Sequence, residues 1–129
     1  MAEQKIRTRA EVPVSDTWNL LDIYPNGDDG WTAEYESLKE MPERIASFAV
    51  KIGKSAEALL GWFELNDELE IRIRKFYGYA SCKSDEDTAD NRYQDFRAKS
   101  HAVLVAISSA AAFAAPEIMA IEEERLNGF

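Results

Sequence analysis

An all-α fold of antiparallel helical hairpins, packed as a small bundle behind an extended N-terminal arm, is the architecture this sequence predicts. Three observations carry that reading. Apolar residues recur at spacings near 3.6 through most of the chain, and no segment alternates apolar and polar residues for long enough to make a useful strand. Turn and cap residues punctuate the periodic stretches at 24–30, at Gly53 and Ser55, and at 84–90, and Pro116 interrupts the last of them.

Residues 1–15 are expected to form the extended arm, because Val12 and Val14 are β-branched and Pro13 biases Val12 away from helix. The remainder, 16–129, reads as a single helical domain. Asp16 is placed to cap a short turn carrying Trp18 and Leu20. Tyr24-Pro25-Asn26-Gly27-Asp28-Asp29-Gly30 concentrates turn formers, after which Asp28 or Asp29 starts a helix. Trp31, Tyr35, Leu38, Ile45, Phe48 and Ile52 share one face of it, with a kink or a fresh start at Pro42 and an end at Gly53. Ser55 suits the N-cap of a second helix with Leu59, Trp62 and Phe63 inward, and Asn66 or Asp67 is expected to restart the chain into a third. On that third helix Leu65, Leu69, Ile73, Phe76, Tyr77 and Ala80 form the inner stripe, while Glu68, Arg72 and Lys75 take the opposite side. Beyond the acidic turn, Ala89, Tyr93, Phe96, Ser100, Val103, Ile107, Ala110 and Ala114 mark the longest helix, ended by Pro116. A last short helix stops at Asn127-Gly128.

A chain of 129 residues, 46% hydrophobic and 30% charged, can bury a core without staples. The net charge of −9 and pI near 4.6 argue against nucleic acid, whose phosphates demand clustered Lys and Arg, and against an anionic membrane surface. The one local basic surplus, Lys5, Arg7 and Arg9, reads as a solvated tail. Cys82 is the sole cysteine, so no internal disulfide forms, and the N-terminal residues lack an apolar leader; both fit the cytoplasm. The apolar run 102–115 falls short of the roughly 20 residues a membrane span requires.

The acidic stretch 84–90 has the carboxylate density of a calcium loop but not its spacing. Begun at Asp85, an EF-hand pattern puts Ala89 at a ligand position, Asp90 where glycine is needed and Phe96 where a bidentate Glu belongs. Ser84, Asp85, Asp87 and Asp90 are instead read as turn and cap residues, offering acceptors to the orphan N–H groups of a helix start. His101 has Arg97 and Val105 one helical turn away and is the only histidine, so no zinc site can be assembled around it. Glu122, Glu123 and Glu124 point in different directions as consecutive helical residues and form a solvated face. No catalytic or metal-ligating residue is assigned. Tyr77 is assigned to the core, and Tyr79 is left open between core and a channel lining.

Three motifs in order, TWNLLDIYP at 17–25, YASCKSDEDTADNRYQ at 79–94 and APEIMAIEEERL at 115–126, resemble the N-terminal region of the oligoendopeptidase F family of zinc metallopeptidases. In that family zinc is held by an H-E-x-x-H helix plus a downstream Glu, whereas His101 here is followed by Ala102-Val103-Leu104-Val105. The resemblance implies the N-terminal helical region without the catalytic part: a wall of the channel that admits short peptides, no cofactor in this chain, and zinc only in the part of the parent enzyme that is missing. The alternative is a free-standing helical module for protein interaction or self-association. Small and apolar residues surround nearly the whole circumference of the helix at 102–115, so an apolar flank bearing Leu104, Val105 and Phe113 is expected to face either that catalytic part or a second copy.

Overall fold

The computed structural model describes residues 6–129. It is all-α, with no strand among the described residues. Six α-helices follow an N-terminal segment of 3-10 turns: α1 (Asp28–Leu38), α2 (Met41–Ala46), α3 (Ala56–Glu86), α4 (Asn91–Ala111), α5 (Ala114–Met119) and α6 (Glu123–Asn127). The antiparallel pair α3/α4 is the spine. α1 and α2 lie across one of its faces, and α5 packs by the 3-10 turn Ile52–Lys54 at the end remote from the acidic turn.

The arm is not continuously extended. Arg9–Glu11 and Val14–Asp16 each close a single 3-10 turn, and the first five residues of the arm, Lys5 among them, lie outside the described residues. Arg9 reaches the end of α3 through an ion pair with Glu86 at 3.3 Å, while Ile6, Val14 and Trp18 stay exposed. Asn19 rather than Asp16 caps the turn carrying Leu20: its Oδ1 accepts from the Leu21 N–H at 3.3 Å, while Asp16 sits inside the preceding turn. Gly27, with φ 59°, adopts the left-handed backbone that lets the loop swing directly into α1.

α1 stops at Leu38, and Pro42 belongs to the first turn of a separate helix, where its missing N–H costs nothing. Trp31, the centre of the core at 1% exposure, stacks on Phe96 (ring centroids 3.8 Å apart) and on Phe76 (4.6 Å), and its indole N–H donates to the Phe76 carbonyl at 3.0 Å. One ring thereby joins α1 to both spine helices. Leu38, Ile45 and Ile52 are fully buried beside it.

Ser55 caps α3, its hydroxyl accepting from the Ala58 N–H at 3.1 Å. The helix then runs unbroken past Asn66 and Asp67, where the sequence suggested a restart. Leu65 and Leu69, one turn apart and both buried, hold the backbone helical across that pair, and burial of two leucines outweighs a propensity penalty below about 1 kcal/mol per residue. α3 with 31 residues is therefore longer than α4 with 21. α4 ends at Ala111, before Pro116: the proline has no N–H to offer the Ala112 carbonyl and crowds it, so the chain breaks earlier and Pro116 falls in the first turn of α5. Gly61 is where the Phe48 ring leans on α3, 3.4 Å from where a Cβ would stand.

Arg72 is a further correction. It does not point to solvent; its guanidinium forks onto Glu34 at 2.7 and 3.2 Å, and donates to Glu68 at 3.0 Å and Ser37 Oγ at 2.8 Å. The hydrogen bonds to Glu34, against some desolvation, raise its pKa from the ordinary range. A bidentate pair of this kind fixes the angle of α1 on α3.

Candidate functional site

The stretch 79–94 comprises the last two turns of α3, a connection of four residues, and the first turn of α4. Asp28, at the first position of α1, is inserted beside it. The Tyr79 hydroxyl donates to Asp28 Oδ1 at 2.7 Å, the Tyr93 hydroxyl to Oδ2 at 3.0 Å, and Arg92 pairs with Oδ2 at 2.7 Å. Tyr79 is 1% exposed and meets Tyr24 edge to face, while Tyr77, assigned to the core, is only half-buried. Burial first, and then donation to the Asp28 carboxylate, push both phenols upward from their ordinary range. They remain protonated donors at neutral pH, neither base nor nucleophile. The Asp28 position at a helix N-terminus suits a carboxylate as well. Chemically this cluster is a knot, with each charge and hydroxyl already satisfied.

The acidic residues of the turn are engaged in the same way. Asp87 Oδ1 accepts from the Ala89 N–H at 3.0 Å, and Asp90 Oδ1 caps α4 by accepting from the Arg92 N–H at 2.9 Å. Ser84 is buried inside the last turn of α3, donating to the Ser81 carbonyl at 3.1 Å. Arg97 of α4 donates to Ser84 Oγ at 3.1 Å and to Asp85 at 2.9 Å. Among the described residues no three His, Cys, Asp or Glu side chains converge as a metal would need; His101 is exposed on α4 and Cys82 is a half-buried free thiol. A zinc ion does not fit the described residues.

A cavity of about 430 Å3 between the 3-10 turn at Ile52–Lys54 and α5/α6 has among its lining two charged groups that the fold already uses. Glu117 accepts the Val50 N–H at 2.6 Å, and Arg125 donates to the Lys54 carbonyl at 2.9 Å. Val50 is the one non-glycine residue at positive φ, 58°, among the described residues.

The other region of note is the side of the α3/α4 spine turned away from α1 and α2. A depression of about 370 Å3 opens there between Asn66, Glu70 and Ile73 of α3 and Ile107, Ser108 and Ala111 of α4. Of the residues expected on an apolar flank, Leu104 is half-buried and Val105 is 50% exposed, but Phe113 turns inward, its ring 5.5 Å from Trp62. The α3 half of this face was missed because Ile73 and Tyr77 had been assigned wholly to the core. The signal was present in the spacing of Phe63, Asn66, Glu70, Ile73 and Tyr77, which places them along one side of the helix.

Residues 91–119 contain an 18-residue window of mean hydropathy 1.8, only 17% of it buried. That composition could cross a bilayer, but the geometry does not. Between Lys99 and its end at Ala111, α4 offers about 18 Å of helix free of lysine, arginine and carboxylates, against about 30 Å of hydrocarbon.

Comparison with known proteins finds this helical unit similar to part of several oligopeptidases. The chain is 35% identical over its whole length to the oligopeptidase PepF of Bacillus subtilis. Over 94% of its length it is 34% identical to the plasmid oligoendopeptidase F of Lactococcus lactis and 29% to the group B oligopeptidase PepB of Streptococcus agalactiae. It corresponds to the N-terminal region of oligoendopeptidase F proteins and spans about a fifth of the length of these relatives. No family model and no solved structure matches the chain.

Proposed function

We propose that this unit walls the chamber in which a zinc-dependent oligoendopeptidase cleaves short peptides in the cytoplasm, sorting substrates by size and taking no part in bond cleavage. The observation that carries the reading is the end-to-end similarity to one fifth of the length of peptidases. The described residues support a scaffolding role: their polar clusters at the hairpin are closed upon themselves, and none is poised as a base, a nucleophile or a metal ligand. Zinc and the water it activates belong, on this reading, to residues outside the matched fifth, and this chain contributes shape.

The test is a graft. The matched fifth of Bacillus subtilis PepF is replaced by this chain, and peptides of graded length are offered to the chimera, to PepF and to the isolated chain. The isolated chain is expected to cleave none, with or without added zinc, and the chimera to cleave short peptides with its own length cut-off. A PepF deprived of the matched fifth that retains the parent length preference would refute the wall. The second reading, a free-standing interaction module, draws on the open α3/α4 face. It predicts that the isolated chain self-associates with rising concentration.

A further inference from the structure

We infer that the open face of the α3/α4 spine is the seat of a further helix, contributed by polypeptide outside the fifth of the relatives that this chain matches. The inference rests on the family reading above and specifies which surface receives the rest of the protein.

The two faces of the spine are unequal. One is covered by α1 and α2 through Trp31 on Phe76 and Phe96, Glu34 on Arg72, and the contacts of Tyr35 and Pro42 near Ala102 and Ala106. The other carries Phe63 at 47% exposure and Val105 at 50%, with Ile73, Tyr77, Leu104 and Ala111 half-buried between them. Apolar side chains along two helices, around a depression of about 370 Å3 that also admits Asn66, Glu70 and Ser108, are more than scattered surface hydrophobicity. The groove between two antiparallel helices is also the shape that a third helix fills, since ridges of side chains on one helix pack into grooves on its neighbours. An amphipathic helix satisfies its own backbone and brings only side chains to such a surface.

The occupant follows from length and charge. The chain aligns end to end with proteins about five times as long, so in those relatives four fifths of the polypeptide is available to cover this face. A second copy is disfavoured because each carries a net charge of −9. Asp67 and Glu70 border the strip on α3 and are exposed, Glu70 being paired with Arg74 one turn on. The helix that fits presents aliphatic or small residues at i, i+3, i+4 and i+7, with a lysine or arginine on the edge facing Asp67.

The face can be read by thiol labelling. Ser108→Cys lies in the depression and Ile71→Cys on the solvent side of α3, where Ile71 is 59% exposed. Each is made in the isolated chain and in the PepF chimera, and maleimide modification is followed by peptide mass spectrometry so that Cys82 is scored separately. The thiol introduced by Ser108→Cys should react at least tenfold more slowly in the chimera than in the isolated chain, and that introduced by Ile71→Cys equally in both. Equal rates at position 108 overturn the inference. Protection that grows with the concentration of the isolated chain does so too, by making a second copy the occupant, as does a chimera that fails to assemble. Peptide cleavage reports separately on the family reading. An active chimera with an unprotected thiol leaves that reading standing and removes this one, and an inactive chimera with a protected thiol does the reverse.

Discussion

Val50→Gly should stabilise this protein. Val50 holds φ at 58°, a region that costs an L-residue about 1–2 kcal/mol and is least tolerable for a β-branched side chain. The conformation is kept because its N–H donates to Glu117 at 2.6 Å, tying the segment between α2 and α3 to α5. Glycine keeps that backbone donor and loses little burial, since the Val50 side chain is 71% exposed. Against the relief stands the greater freedom of glycine in the unfolded chain, about 0.5–1 kcal/mol. The net gain is about 0.5–1 kcal/mol, which for a chain of 129 residues raises the melting midpoint by about 2–4 °C. Val50→Ala removes the branch but not the Cβ, and should fall between the two. Scanning calorimetry of the three proteins in one buffer measures the order directly. A Val50→Gly midpoint at or below that of the wild type would show that the left-handed backbone stores no strain, and the reasoning would fail.

Two further predictions concern the knot at the hairpin. Asp28→Ala deprives the Tyr79 and Tyr93 hydroxyls of their acceptor and should cost about 3 kcal/mol, read as a lower urea midpoint at unchanged slope, with Asp28→Asn costing roughly half as much. The exposed Arg92 contributes little to that figure. Both phenols titrate higher in the folded than in the unfolded chain, so their stabilisation is complete below the unfolded value near pH 10 and is lost as pH rises through the folded range. Urea midpoints taken from pH 8 to 11.5 should fall more steeply above pH 10 for the wild type than for Tyr79→Phe/Tyr93→Phe; parallel curves would refute the assignment.

Much of the fold is written locally and much of the site is not. Ser55 followed by apolar residues at helical spacing marks the start of α3, and Leu65, Leu69, Phe76 and Ala80 mark its buried stripe, because caps and periodicity act within a few residues. Asn66 and Asp67 looked like a restart since propensity is local too; only the leucines on either side, buried by other helices, decide for continuity. Arg72 and Tyr79 lie at the edges of the stripe, where periodicity cannot tell which flank a neighbouring element will cover. Their partners, Glu34 and Asp28, are 38 and 51 residues away. The open α3/α4 face was hidden for the same reason: a residue half-buried in this chain and one fully buried have the same spacing.

The reversal at residues 87–90 gives the spine two ends that are held differently. Asp28, Arg97 and the helix caps clamp the two helices where the chain turns back, whereas the far end is held by the packing of Trp62 on Phe113 and by the bond from Val50 to Glu117. α3 alone is about 46 Å long. At that length a tilt of about 5° at the clamp would displace the distant tip by about 4 Å, close to the width of a side chain, so how tightly one carboxylate is held at the pivot sets how accurately the far end is placed.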